Sequence, residues 1–180
     1  MASAPKLHAQ AAGTAELEAV DPEAGEPDGF RLGRFLPYRL SVVTNLVSRG
    51  FAERYSAEFG ISIPEWRVMA VLGERAPVSS FEICGATAMD KAKVSRAVSA
   101  MIDKSLVRKA AHPEDQRLLR LSLTAKGRRV YDAIIPRARE LEAELMAGLG
   151  ETERAQLDTL LEKLHARAEA LGSLEPAGDA

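Results

Sequence analysis

The chain has 180 residues, 46% of them hydrophobic, which is enough for one domain with a real core. Lys+Arg number 24 and Asp+Glu 26, a formal net charge of -2, which taken alone argues against a nucleic-acid binder. The one cysteine, Cys84, excludes an intrachain disulfide and suits a reducing cytoplasm. No stretch approaches the roughly 18 apolar residues of a membrane span, and the first residues lack the apolar run of a signal peptide, so a cytoplasmic protein without a membrane partner is expected.

The charge is unevenly placed. Residues 1–30 hold one base and six acids, and residues 137–180 hold five bases and ten acids. Residues 31–63 hold five bases and two acids, and residues 64–129 hold thirteen bases and seven acids. A basic block between acidic ends attracts phosphate whatever the total charge is.

In chain order, residues 1–29 contain Pro5, Pro22 and Pro27 and few large apolar side chains, and read as a disordered acidic tail. Residues 30–60 read as an amino-terminal dimerisation helix. From Pro37 to Phe59, the residues Leu40, Val43, Leu46, Val47, Phe51, Tyr55 and Phe59 recur at three- and four-residue steps, and Gly60 ends the helix. Residues 61–125 carry the next unit. Ser62, Pro64 and Glu65 open a second helix bearing Trp66, Met69, Ala70 and Leu72, with Gly73 and Pro77 bracketing the following turn. Ser79 and Glu82 open a short third helix containing Phe81, Ile83 and Cys84, with Gly85 near its end. Asp90 caps a fourth, from Lys91 to about Lys104. Its apolar stripe is Val94, Val98, Met101 and Ile102. Its other side carries Lys91, Lys93, Ser95, Arg96 and Ser99.

A short helix, a small-residue turn and a helix with a basic polar face form a helix-turn-helix pattern. Strands over Leu106–Ala110 and Leu118–Leu123, joined by a polar connection with Pro113, make a β-hairpin wing. Residues 126–171 read as carboxy-terminal dimerisation helices: one capped by Thr124, running past Tyr131 and bent by Pro136, and one capped by Thr152 with Leu157, Leu160, Leu161 and Leu164. Residues 172–180 read as a flexible tail. The expected fold is mainly α with a small β-wing, a winged helix-turn-helix flanked by dimerisation helices.

These residues resemble the MarR family of bacterial regulators. Ile63-Pro64-Glu65-Trp66-Arg67-Val68-Met69-Ala70-Val71-Leu72 is similar to the family's helix before the helix-turn-helix. Ser80-Phe81-Glu82-Ile83-Cys84 stands in the place of Thr-x-x-Glu-Leu-Ala. Asp90-Lys91-Ala92-Lys93-Val94-Ser95-Arg96 is similar to the start of the recognition helix. Asp115-Gln116-Arg117 followed by Leu123-Thr124-Ala125-Lys126-Gly127 resembles the Asp-x-Arg to Leu-Thr-x-x-Gly signature. The sequence departs at Ser105, where Gly is common before Leu-Val, at Cys84 in place of a small Ala, and at Lys109 where Arg is common. Leu36-Pro37-Tyr38-Arg39-Leu40-Ser41 and the segment around Trp66 further resemble members that control aromatic-acid catabolism, some responding to hydroxycinnamoyl-CoA thioesters.

The resemblance implies a homodimeric repressor on a double-stranded, pseudo-palindromic operator, released by a small aromatic effector such as an aromatic acyl-CoA. Arg96 and Ser95 have the donors to read base edges, and Lys91, Lys93 and Ser99 share that face. By resemblance, Arg117 enters the minor groove or holds its flanking phosphates, positioned by Asp115. Arg108, Lys109 and Arg120 flank it, although solvent is the ordinary place for Arg120. Trp66 and Met69 pack in the core or, with Val43, Val47 and Arg39, line an apolar effector pocket with one cation. Cys84 reads as a buried structural cysteine. His8, His112 and His165 have no zinc-ligand spacing, and no cofactor motif or nucleophile arrangement is present. An architectural DNA-binding protein without an effector, a dimeric adaptor and a small enzyme are the competing readings.

Overall fold

The computed structural model describes residues 29–111 and 119–172. The expectations for the two tails, and for His8, His112, Asp115 and Arg117, therefore lie outside the described residues. The chain divides into two compact units, Met1–Val42 and Val43–Ala180. The first contains a 3-10 helix, Leu32–Arg34, and the opening turns of α1 (Leu36–Phe59), with the rings of Phe30 and Phe35 5.3 Å apart.

The second unit is mainly helical with one small sheet. After α1 come α2 (Ile63–Arg75), α3 (Ser80–Thr87), α4 (Lys91–Asp103), β1 (Val107–Ala111), β2 (Leu119–Leu123), α5 (Ala125–Met146) and α6 (Glu151–Gly172). The expected winged helix-turn-helix is present. Each start is set locally. Ser62 and Ser79 accept the N–H of Glu65 and Glu82, whose carboxylates return to the serine N–H groups at 2.7 and 2.8 Å. These are reciprocal capping boxes. Asp90 accepts the Lys93 N–H at 2.7 Å, and Thr124 accepts the Gly127 N–H at 3.0 Å. Gly60, at φ +62, ends α1 in the left-handed region that glycine tolerates.

The core gathers Tyr55 of α1, Val68, Met69 and Leu72 of α2, Ile83 of α3, Val94, Val98 and Met101 of α4, Val107 of β1, Leu121 of β2 and Ile134 of α5, and, among the described residues, nothing from α6. Each buried aliphatic side chain contributes roughly 1.5–3 kcal/mol relative to exposure. The wing is antiparallel, with Val107 opposite Leu123 and Ala111 opposite Leu119.

Several boundaries differ from the sequence expectation. α2 runs through Gly73 to Arg75, and Tyr131 of α5 lies so close that a Cβ at Gly73 would stand 2.3 Å from its ring. Here glycine serves helix packing instead of a turn. α3 passes Gly85 and stops at Ala88, which takes the left-handed conformation at φ 51. β1 begins at Val107, one residue late, since Leu106 is occupied by the turn: its N–H donates to Met101 O, and its carbonyl accepts from Thr124 N–H. α6 starts at Glu151, so Thr152 lies inside the first turn; Glu153 instead accepts the Gly150 N–H at 2.8 Å. Cys84 packs against the core but is only half-buried.

Candidate nucleic-acid interface

On α4, Val94, Ala97, Val98 and Met101 face the core, and the helical period turns Lys91, Lys93, Ser95, Arg96 and Ser99 to solvent. Among the described residues, the Lys91 and Arg96 side chains donate no hydrogen bond, and Arg96 feels the Asp90 carboxylate only through its field, so both donors remain open to an outside acceptor. Lys93 lies 3.9 Å from Asp90. The Asp90 carboxyl is held below its ordinary range, chiefly by the hydrogen bond from the Lys93 N–H, and so caps the helix as an anion. Lys93 and Arg96 also border a recess of about 240 Å³ between α4 and the start of α2, with Lys104 at its edge.

The wing places Arg108 and Lys109 in solvent on β1. Arg120 on β2 behaves differently: its Nη1 donates to Glu82 Oε2 at 2.5 Å. The sequence leaves Arg120 to DNA or solvent, whereas its partner lies 38 residues away in the chain. Beside it is a backbone bridge that the sequence does not announce, in which Val78 N–H donates to Leu121 O (3.2 Å) and Leu121 N–H to Val78 O (2.8 Å). Nothing local in the sequence signals either contact. Arg117 belongs to the undescribed connection 112–118.

The candidate effector residues separate. Met69 is fully buried and Trp66 is half-buried in an aromatic cluster. The Trp66 ring meets Phe51 at 5.3 Å edge-on, Tyr55 at 5.8 Å, and Tyr131 at 6.2 Å nearly parallel. Beyond this cluster, between α1 and α5, lies a cavity of about 490 Å³ lined by Val47, Phe51, Tyr131, Ile135, Arg139 and Leu145 among others. Of the residues expected around a pocket, Val47 is in its wall, whereas Val43, Trp66 and Met69 are not. Val43 is exposed, and Arg39, also exposed, belongs to the first unit. Ile135 and Arg139 were not anticipated, although their four-residue spacing on one helix carries the signal. Two ion pairs hold α1 to α5 near this cavity: Arg54 with Glu144, and Arg137 Nη2 with Glu58 Oε2 at 2.5 Å.

Among the described residues, no group of three or more His, Cys, Asp or Glu side chains could hold a metal ion. His165 is exposed on α6, 3.4 Å from Glu169. Among those residues, no helix is long and apolar enough to cross a membrane.

A helix-turn-helix with an exposed cationic second helix and a basic hairpin beside it defines a DNA-binding regulator of the winged type. Residues 59–118 match the model of the MarR family. The transcriptional repressor IacR of Pseudomonas putida is 28% identical over 144 residues, covering 80% of this chain and 86% of the relative. The repressor NicR of Pseudomonas putida is 32% identical over 96 residues, covering 53% and 61%. A crystal structure of a MarR/EmrR family regulator from Acinetobacter sp. ADP1 superposes with a TM-score of 0.73 at 29% identity, over 78% of this chain and 99% of that one. Over the helix-turn-helix and the start of the wing, the chain is thus similar to DNA-binding regulators of the MarR family.

Proposed function

We propose that the chain is a homodimeric repressor of a pseudo-palindromic operator, acting by binding alone and released by a small aromatic acid or its CoA thioester. The observation that carries the reading is the exposed cationic Arg96–Lys91 face of α4, backed by its buried stripe. Two such helices related by a two-fold axis would read half-sites about one helical turn apart. Residues 151–171 of α6 are all exposed, Leu157, Leu160, Leu161 and Leu164 among them. A helix with no buried face is marginal in water, and a second copy would cover it. The repressor names of the two relatives favour repression.

For the effector, the α1–α5 cavity offers mostly apolar walls with one guanidinium, Arg139, and one carboxylate, Glu142; the apolar walls suit an aromatic ring and Arg139 its carboxylate. A ligand there releases DNA only through different affinity for two conformations. The test is DNA binding at fixed salt, using a duplex selected by the protein from a random-sequence library. A panel of aromatic acids and their CoA thioesters is then added. Arg96→Ala is expected to cost about 1–3 kcal/mol of binding and relax sequence preference. Undiminished binding by Arg96→Ala would remove its assigned role. A panel without effect would leave an architectural protein.

A further inference from the structure

Glu82 carries two duties on one oxygen. Its Oε2 accepts the Ser79 N–H at 2.8 Å and the Ser79 hydroxyl at 2.6 Å, closing the cap of α3, and accepts Arg120 Nη1 at 2.5 Å. Arg120 lies on β2, opposite Ala110 of β1. One residue further along β2, Leu121 exchanges both backbone hydrogen bonds with Val78, the residue before Ser79. Backbone and side chain thus join the start of α3 to the same point of the wing. A hairpin stands on a two-stranded ladder alone unless something sets its direction, and here that something is Val78 and Glu82. The Arg120 side chain is 28% exposed, that of Glu82 49%.

We propose that Arg120 is a positioning residue: through Glu82 it aims the wing relative to α3, and the protein's grip on DNA depends on this pair although neither side chain binds DNA. The inference rests on the DNA-binding reading and adds to it a separate prediction about wing order. Bulk electrostatics predicts the opposite sign for one half of the pair. Removing the negative charge of Glu82 near a phosphate backbone should tighten binding, whereas loss of wing alignment should weaken it. Gln is accepted at the third position of a capping box, so Glu82→Gln leaves the α3 cap in place while discharging the pair.

The experiment compares the wild type, Glu82→Gln, Arg120→Ala, Arg120→Lys and the Glu82→Gln/Arg120→Ala double variant. Amide hydrogen exchange at Val78 and Leu121 is read without DNA. Affinity for a library-selected duplex is read across a salt series, with thermal unfolding as the folding control. Both single discharging variants should speed exchange at the two amides and weaken binding several-fold. The double variant should be no worse than either single, Arg120→Lys should recover part of the loss, and the slope of log K against log salt should stay as in the wild type. Tighter binding by Glu82→Gln, or a slope reduced by about 0.9 in Arg120→Ala, the value of one phosphate contact, overturns the proposal. Unchanged exchange at both amides overturns it as well, whatever DNA does. A wild type that binds no duplex would instead count against the DNA-binding function, and the exchange measurement would still decide the wing.

Discussion

Lys104 Nζ stands 2.6 Å from Glu65 Oε1 and 2.7 Å from the Gly60 carbonyl oxygen, which it also serves as donor. The contact ties the end of α4 to the start of α2. Glu65 is almost fully buried. Burial alone would raise its pKa, but the Lys104 hydrogen bond and those from the Ser62 N–H and hydroxyl outweigh it and hold the carboxyl below its ordinary range. A carboxylate with a lowered folded pKa lends stability above its unfolded pKa, and that stability is lost as pH falls through the folded pKa.

Lys104→Met leaves the buried carboxylate without its cation. Breaking such a pair costs about 3–5 kcal/mol when both partners are buried. Lys104 is 39% exposed, so about 2 kcal/mol is expected at pH 7. In the variant, burial acts unopposed by Lys104 and the Glu65 pKa rises. The deficit relative to wild type should therefore be smaller at about pH 4 than at pH 7, since the variant's carboxyl takes up its proton before that of the wild type. Urea unfolding at the two pH values measures this; a deficit that widens on acidification contradicts it.

Two glycines should respond oppositely to alanine. A Cβ at Gly127 would lie 2.0 Å from the Leu106 carbonyl oxygen, part of a backbone that also accepts the Thr124 N–H. Gly127→Ala must displace that turn and should cost about 3 kcal/mol. At Gly85, inside α3, a Cβ meets nothing within 4 Å. Gly85→Ala should stabilise by about 0.5–1 kcal/mol through reduced chain entropy. Thermal unfolding separates the two, at about 2–4 °C per kcal/mol for a chain of this size.

The Tyr55 hydroxyl is buried and has no hydrogen-bond partner among the described residues. Burial is the main reason that its pKa is pushed up to about 12. An unsatisfied buried hydroxyl carries a desolvation penalty of about 1–3 kcal/mol. Tyr55→Phe removes the penalty and keeps the ring contacts with Phe51 and Trp66. Stability equal to or above wild type is expected in chemical denaturation; a loss beyond about 1 kcal/mol would reveal a lost hydrogen bond instead.

Arg139 is the one cation in the wall of the α1–α5 cavity. If an aromatic carboxylate acts there, Arg139→Met should raise the effector concentration needed for DNA release at least about ten-fold, equivalent to 1.4 kcal/mol. Affinity for DNA without effector should stay unchanged. Equal loss of both would point to a structural role for the side chain.

Much of the architecture was legible because its causes are local. The caps at Ser62, Ser79, Asp90 and Thr124 each close over three residues, and a period of 3.6 or 2 declares which face is buried. The cationic face of α4 follows from that period alone. Ser105 is instructive in the other direction: it stands where the family commonly has Gly, and it adopts the left-handed conformation at φ 58, which explains the preference physically.

What the tertiary structure decided are the relations between elements. Glu65 and Lys104 are 39 residues apart, Glu82 and Arg120 are 38. Each residue reads locally as a capping acid or a surface base, and only the packing of α2 on α4, and of α3 on the wing, turns them into pairs. The same holds for Trp66, whose helical position permits core or pocket alike. Its ring meets three aromatic neighbours, and the adjoining cavity opens instead onto Ile135 and Arg139. A sequence states the periodicity of one element; which side chain waits opposite depends on loop closure and packing across the whole domain, and no local pattern encodes that.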